Sequence, residues 1–231
     1  MYVPQHYRED SVPVLHEAIR AIAFGTLVTL DEDGLVASHV PMLLDPHPSP
    51  WGTLSGHLAR GNPQWRTARN EIEALAIFLG PQAYVSPSWS QSKARTGKAV
   101  PTWNYVSIHA YGALRFIDDP VEIRAHVTRL TAEHEEHRAQ PWQVSDAPAD
   151  YIGAMVKGII AFELALTRRR RQRVKGGGPR RGRRSGRGEE PARRRNRALN
   201  RADFDDFRDV VAQHVLDTGL QGRGRARAAR A

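Results

Sequence analysis

Apolar and polar positions along the first 166 residues alternate in a way that names most elements. Val14, Ala18, Ile19 and Ile22 recur at helical spacing, so Pro13 to Ile22 is an expected amphipathic helix with Ser11 as N-cap and Pro13 in its first turn. Phe24–Leu30 reads as a strand, Asp31–Gly34 as a tight hairpin turn, and Leu35–Leu44 as the returning strand. Pro41 removes one ladder donor from that strand and places it at an edge or bulge, or against a ligand. Three prolines mark residues 45–50 as a loop, and Gly52–His57 is a third short strand. Asn62-Pro63 opens a helix expected to run to about Asn70, since Asn caps well and Pro loses nothing at a first turn. The continuous apolar run Ala74–Leu79 is a central strand, ended by Gly80-Pro81.

Tyr84 and Val85 open a further strand, and Val106, Ile108 and Ala110 alternate with polar or aromatic neighbours toward Gly112. A helix is expected from Val121 to about Arg138, with Ile123, Val127 and Leu130 as its stripe. A loop from Pro141 to Pro148, a short helix over Tyr151–Val156 and a last strand, Ile159–Leu166, complete the pattern. Successive strands with a few flanking helices predict an antiparallel barrel in an α+β domain, not a parallel sheet. No internal repeat is visible.

The polar loop between Tyr84 and Gly112 changes this picture from scaffold to site. It carries Ser86, Ser88, Ser90, Ser92, Lys93, Arg95 and Lys98, with Trp103, Tyr105 and Tyr111 close behind. Loops longer than about a dozen residues inside a domain are usually functional or disordered. Hydroxyls and cations beside aromatic strands suit a planar ligand bearing phosphate.

Charge divides the chain in two. Residues 1–167 hold 13 Lys/Arg against 18 Asp/Glu, a net of −5. Residues 168–231 hold the other 21 against 7, a net of +14, and the two make the +9 of the whole chain. Electrostatic attraction to nucleic acid therefore resides in the tail. There is no cysteine, which excludes disulfides, thiolate metal sites and cysteine nucleophiles and fits a cytoplasmic location. No apolar run approaches the roughly 20 residues that span a bilayer, so no membrane partner is expected. The first 20 residues carry Glu9, Asp10 and Glu17 and no signal core.

The expected organisation is a domain over 1–167, an Arg/Gly-rich segment over 168–201 expected to be disordered, and a short helix followed by a basic end over 202–231. In that last segment Phe204, Phe207, Val210, Val211 and Val215 fall at helical spacing. Two accounts of the arginine-rich composition stand side by side. One is a basic arm that binds DNA by neutralising phosphates. The other is a shifted reading frame in a GC-rich gene, which yields Arg/Gly/Ala/Pro strings.

Several positions carry candidate chemistry. His57, Arg60 and Asn62 sit where a strand enters a helix, and a helix N-terminus favours phosphate. The bland alternative is a capping Asn62 and a solvated Arg60. Ser92, Lys93 and Lys98 are the loop's phosphate or flavin candidates, against a merely solvated basic loop. Trp103 and Asn104 follow on a strand; Trp103 can equally be packing, while the Asn104 amide can both donate to and accept from a heteroaromatic edge. His39, His57 and His109 could form a metal or haem triad, but no carboxylate or cysteine joins them at ligand spacing. His134 and His137 are three apart, not the four of a zinc-protease helix. No nucleophile elbow, dinucleotide fingerprint or carboxylate pair is present.

The blocks YVSPSW, GKAVPTWNYVSIHAYG and SGHLARGNPQW resemble the signatures of the PaiB-type FMN-binding negative transcriptional regulators, with the resemblance covering residues 1 to about 167. It implies a split β-barrel of the pyridoxamine-phosphate-oxidase kind and a homodimer with FMN at the subunit interface. On this resemblance the cofactor-binding residues are His39, His57, Arg60, Asn62, Ser92, Lys93, Lys98, Trp103 and Asn104. Beyond residue 167 the chain departs from the family, which continues there with a strand and a helical C-terminus. A flavin oxidoreductase on the same fold, and an Arg-rich nucleic-acid-binding protein without cofactor, are the alternative functions.

Overall fold

Strand β2 (Phe24–Leu30) has the alternation the sequence predicts: Gly25, Leu27 and Thr29 are buried, while Phe24, Thr26 and Val28 face outward. The structure is a computed structural model describing residues 7–89 and 100–174. Helix α1 (Val12–Ile22) buries Val14, Leu15, Ala18 and Ile19 against the sheet, and β1 (Arg8–Glu9) precedes it. The turn after β2 is held by Asp31, whose Oδ1 accepts the N–H groups of Asp33 and Gly34, both at 2.9 Å. Gly34 has φ 130°, which a Cβ would penalise.

The expected strand Leu35–Leu44 divides in two. Strand β3 (Leu35–Pro41) pairs with β2, whereas β4 (Leu43–Asp45) pairs with β5 (Thr53–Ala59). Pro41 has no N–H to continue the ladder, and the Met42 N–H turns aside to the Ala23 carbonyl at 2.8 Å. One run of sequence thus supplies both ends of the sheet.

Strand β6 (Ala74–Val85) passes through Gly80-Pro81 instead of stopping there. Its register against β7 (Thr102–Ile117) shifts between Leu79, opposite Ser107, and Gln82, opposite Tyr105. A bulge accommodates the proline without ending the strand. Helix α2 (Gln64–Thr67) is a single turn, shorter than the sequence suggests. Helix α3 (Pro120–Glu135) is capped by Asp119, which accepts from the N–H groups of Val121 and Glu122. Its two buried side chains are Ile123 and His126; Val127 and Leu130 of the expected stripe are half-buried. Helix α4 (Ala149–Lys157) leads into β8 (Ile159–Val174). That strand continues beyond Leu166 because β7 extends alongside it to Tyr105, opposite Val174, and β1 pairs with its far end.

All pairings are antiparallel, in the order β3-β2-β6-β7-β8-β5-β4 with β1 on β8. The sheet curls until the ends of β3 and β5 touch, a split β-barrel. Its interior holds Leu27, Phe78, Ile108, Leu54, Phe162 and Leu164, each without measurable exposure. Gly56 permits this closure: a Cβ there would lie 2.5 Å from the Phe162 ring. A second core of Ile117, Ile123, Val144, Ile152, Val156 and Ala161 seats α3 and α4 on the outside. No helix among the described residues is long and apolar enough to cross a membrane.

Candidate functional site

Along β5, Leu54 and Leu58 point into the barrel, so Ser55 and His57 lie on the outer face, under α3. His57 Nδ1 is 3.1 Å from His126 Nε2, with the rings 5.3 Å apart and 70° from coplanar. One imidazole donates and the other accepts. His126 is 3 % exposed, and its Nδ1 has no partner among the described residues. Burial pushes its pKa down to about 4, with His57 and Arg129 acting in the same direction. Burial lowers His57 as well.

Arg60 ends the same strand with most of its donors committed. Its Nε donates to the Lys157 carbonyl at 2.7 Å, its Nη1 to Asp118 Oδ2 at 3.0 Å, and its Nη2 to Asp118 Oδ1 and to the Ile159 carbonyl. The hydrogen bond from Arg60 holds the Asp118 carboxyl below its ordinary range, and the same bond raises Arg60. The Arg60 N–H donates to the Gly158 carbonyl at 2.8 Å. The side chain therefore joins the end of β5 to the turns that begin α3 and end α4.

Asn62 caps the turn that follows, accepting the Gln64 N–H at 3.0 Å and donating to Ser38 Oγ on β3 at 2.9 Å. Gln64 is fully buried and donates from Nε2 to Thr29 Oγ1 at 3.0 Å, with the Leu27 and Val36 carbonyls at 3.3 and 3.4 Å. Trp65 Nε1 donates to the Arg60 carbonyl at 2.9 Å. Residues 60–65 thus form a staple across three strands. The Gln64 N–H that would greet a phosphate at the start of α2 is already bonded to Asn62.

His39 lies on the outer face of β3, exposed, with Nδ1 2.9 Å from Thr26 Oγ1. Thr26 pairs with Ile77 and Ile77 with His109, so the three strands form one lateral row. His109 Nδ1 is buried without a partner among the described residues, and burial lowers its pKa. His39, His57 and His109 do not converge, and no group of three metal-ligating side chains occurs among the described residues.

The far ends of β6 and β7 form an arm. There Trp103, 53 % exposed, donates from Nε1 to Gln82 Oε1 at 3.0 Å and lies 6.2 Å from the Tyr84 ring. Asn104 Oδ1, next along β7, is buried without a partner among the described residues. An orphaned buried acceptor costs about 1–3 kcal/mol, a cost that a ligand N–H relieves. An isoalloxazine offers such an N–H, so the Asn104 amide fits FMN; Trp103 and Tyr84 offer an aromatic surface on the other face of the strand pair. Ser92, Lys93 and Lys98, the expected phosphate contacts, lie outside the described residues.

The expected residues thus fall into separate places. His57 pairs with Ala161 on β8, and Ala161 pairs with Ile117 on β7. From Ile117 to Trp103 along β7 is a contour of about 45 Å, longer than any mononucleotide. Asp118, His126 and Gln64 were not singled out in the sequence. His126 had a signal: it is three residues beyond Ile123, on the buried stripe. Asp118 was hidden by its neighbour Asp119, the actual cap.

Comparisons with known proteins agree with the fold. Residues 1–168 match the family described as "Putative FMN-binding domain". The chain is 30 % identical over 166 residues to the protease synthase and sporulation protein PAI 2 of Bacillus subtilis, covering 72 % of this chain and 77 % of the relative. Among solved structures, the flavocytochrome Anf3 of Azotobacter vinelandii superposes with TM-score 0.54 at 9 % identity, covering 89 % of this chain and 95 % of that one. The FAD and heme binding protein of Mycobacterium smegmatis gives 0.53 at 16 %, covering 75 % and 76 %. At such identities the two structures speak for the fold alone. The split β-barrel and the match over most of the described chain together make this protein a member of the putative FMN-binding domain family.

Proposed function

We propose that the protein is an FMN-binding transcriptional regulator that acts as a homodimer, each flavin lying between two copies. The observation that carries this reading is the orphaned Asn104 Oδ1 near the end of β7, with exposed Tyr84 and Trp103 on the opposite face of the same strand pair. Half-exposed aromatics on a projecting strand pair favour burial against another surface. The arm of one copy and the barrel face of the other together complete a pocket. His39 contributes from that face, and Ser92, Lys93 and Lys98 engage the phosphate. The flavin, when bound, supplies redox chemistry; the protein binds, orients and excludes water. A role on DNA is supported by the basic tail, which suits phosphate contacts.

Reconstitution with FMN tests the cofactor reading. The protein retains FMN through desalting and quenches its fluorescence. Asn104→Leu weakens binding roughly threefold to tenfold, the size of one neutral hydrogen bond. Riboflavin affinity falls by the same factor, because the ring and not the phosphate is affected. Millimolar FMN affinity in the wild-type protein would refute the reading.

A further inference from the structure

A groove of about 630 Å³ runs between the end of α1, strand β4 and the second half of α3, away from the arm. Its walls carry charges of both signs. Arg20 comes from α1 and Asp45 from the end of β4; Arg129 and Glu133 come from α3, and Glu136, 3.2 Å from His137, follows at its end. Arg20, Arg129 and Glu133 form no ion pair with a described residue. Arg129 and Glu133 are one helical turn apart, near enough to pair with each other, yet they do not. The Ser55 side chain, 8 % exposed, lines the floor. On the rim, Ala23 has φ 54°, a conformation that side chains other than glycine rarely adopt and that gathers at functional sites.

We propose that this groove binds a small zwitterion of dipeptide size, with its carboxylate between Arg20 and Arg129 and its ammonium on Glu133. An anion alone is disfavoured by Glu133, Glu136 and Asp45, and a cation alone by the two arginines. A molecule with both charges about a helical turn apart meets each wall with opposite charge. The volume lies within the range of small-molecule sites. The Ser55 hydroxyl at the floor both donates and accepts, which suits a peptide group. This site goes beyond the flavin reading and does not depend on it.

Ligand-observed NMR on the full chain tests it, with glycylglycine as the probe and acetate and methylammonium as single-charge controls. Glycylglycine binds, and each control binds at least about tenfold more weakly, since it forms only half the charge-assisted bonds. Arg129→Ala and Glu133→Gln each weaken glycylglycine by about tenfold. Arg129→Lys recovers part of the loss. All these side chains are exposed, so the variants keep the fold. FMN retention is unchanged in every variant. Acetate binding as well as the dipeptide, unaltered affinity in both variants, or loss of FMN together with the dipeptide would each overturn the proposal.

Discussion

His126 illustrates how a single side chain links packing to pH. Its folded pKa of about 4 lies below the ordinary value of 6.5. Folding therefore favours the neutral ring, and the unfolded chain binds more protons between those values. The contribution is fully present above pH 6.5 and is lost as pH falls through 6.5 toward 4. Its size is on the order of 3 kcal/mol. Urea denaturation across that window shows wild type losing stability faster than His126→Gln, whose amide does not titrate. Parallel curves for the two proteins would mean that His126 keeps its ordinary pKa in the fold. Asn62 offers the complementary lesson: its capping role was readable from Asn-Pro, but its bond to Ser38 on another strand was not.

Among the elements, the turn after β5 has the widest reach. Arg60 ties this strand to the start of α3 and the end of α4, and Gln64 ties it to β2 and β3. The sequence offered Arg60 to a phosphate; the folded chain offers it Asp118 and two carbonyls. Arg60→Ala is expected to lower the melting temperature, and Asp118→Ala to do the same. The double variant loses less than the sum, because both remove one interaction. Riboflavin and FMN affinities change in parallel in Arg60→Ala. A selective loss of FMN would place the guanidinium on the phosphate instead. Strand β8 was legible only to Leu166, since arginines obscure the alternation that marks a strand; its extension is set by the neighbouring edge of β7.

For the whole molecule, the boundary between domain and tail governs both stability and charge. Truncation after Val174 preserves the β8 ladder with β7 and β1, whereas truncation after Thr167 removes it from Tyr105 to Tyr111. The shorter chain should melt several degrees lower than the longer one. Equal melting temperatures would show that the extension of β8 adds nothing. On the proposed DNA-binding reading both truncations lose DNA affinity, and the log affinity of the full chain falls with log salt by about 0.9 per phosphate neutralised. Gel-shift titrations at several salt concentrations measure this slope. DNA binding that survives truncation would shift the contact to the barrel.

The core runs of the strands, the turn at Gly34, the existence of helix α3 and the family were legible in the sequence, because each depends on neighbours within a few residues or on long ordered motifs. Alternation names a face without naming what covers it. That Pro41 divides one run between opposite ends of the sheet is a matter of the folded chain, since it depends on which strand remains to be paired. The tertiary structure alone brought His126 against His57 and Asp118 against Arg60, contacts between residues more than fifty positions apart. It also placed the arm and the β5 turn near opposite ends of β7, because the register of β7 with β6 and β8 depends on which strands pair.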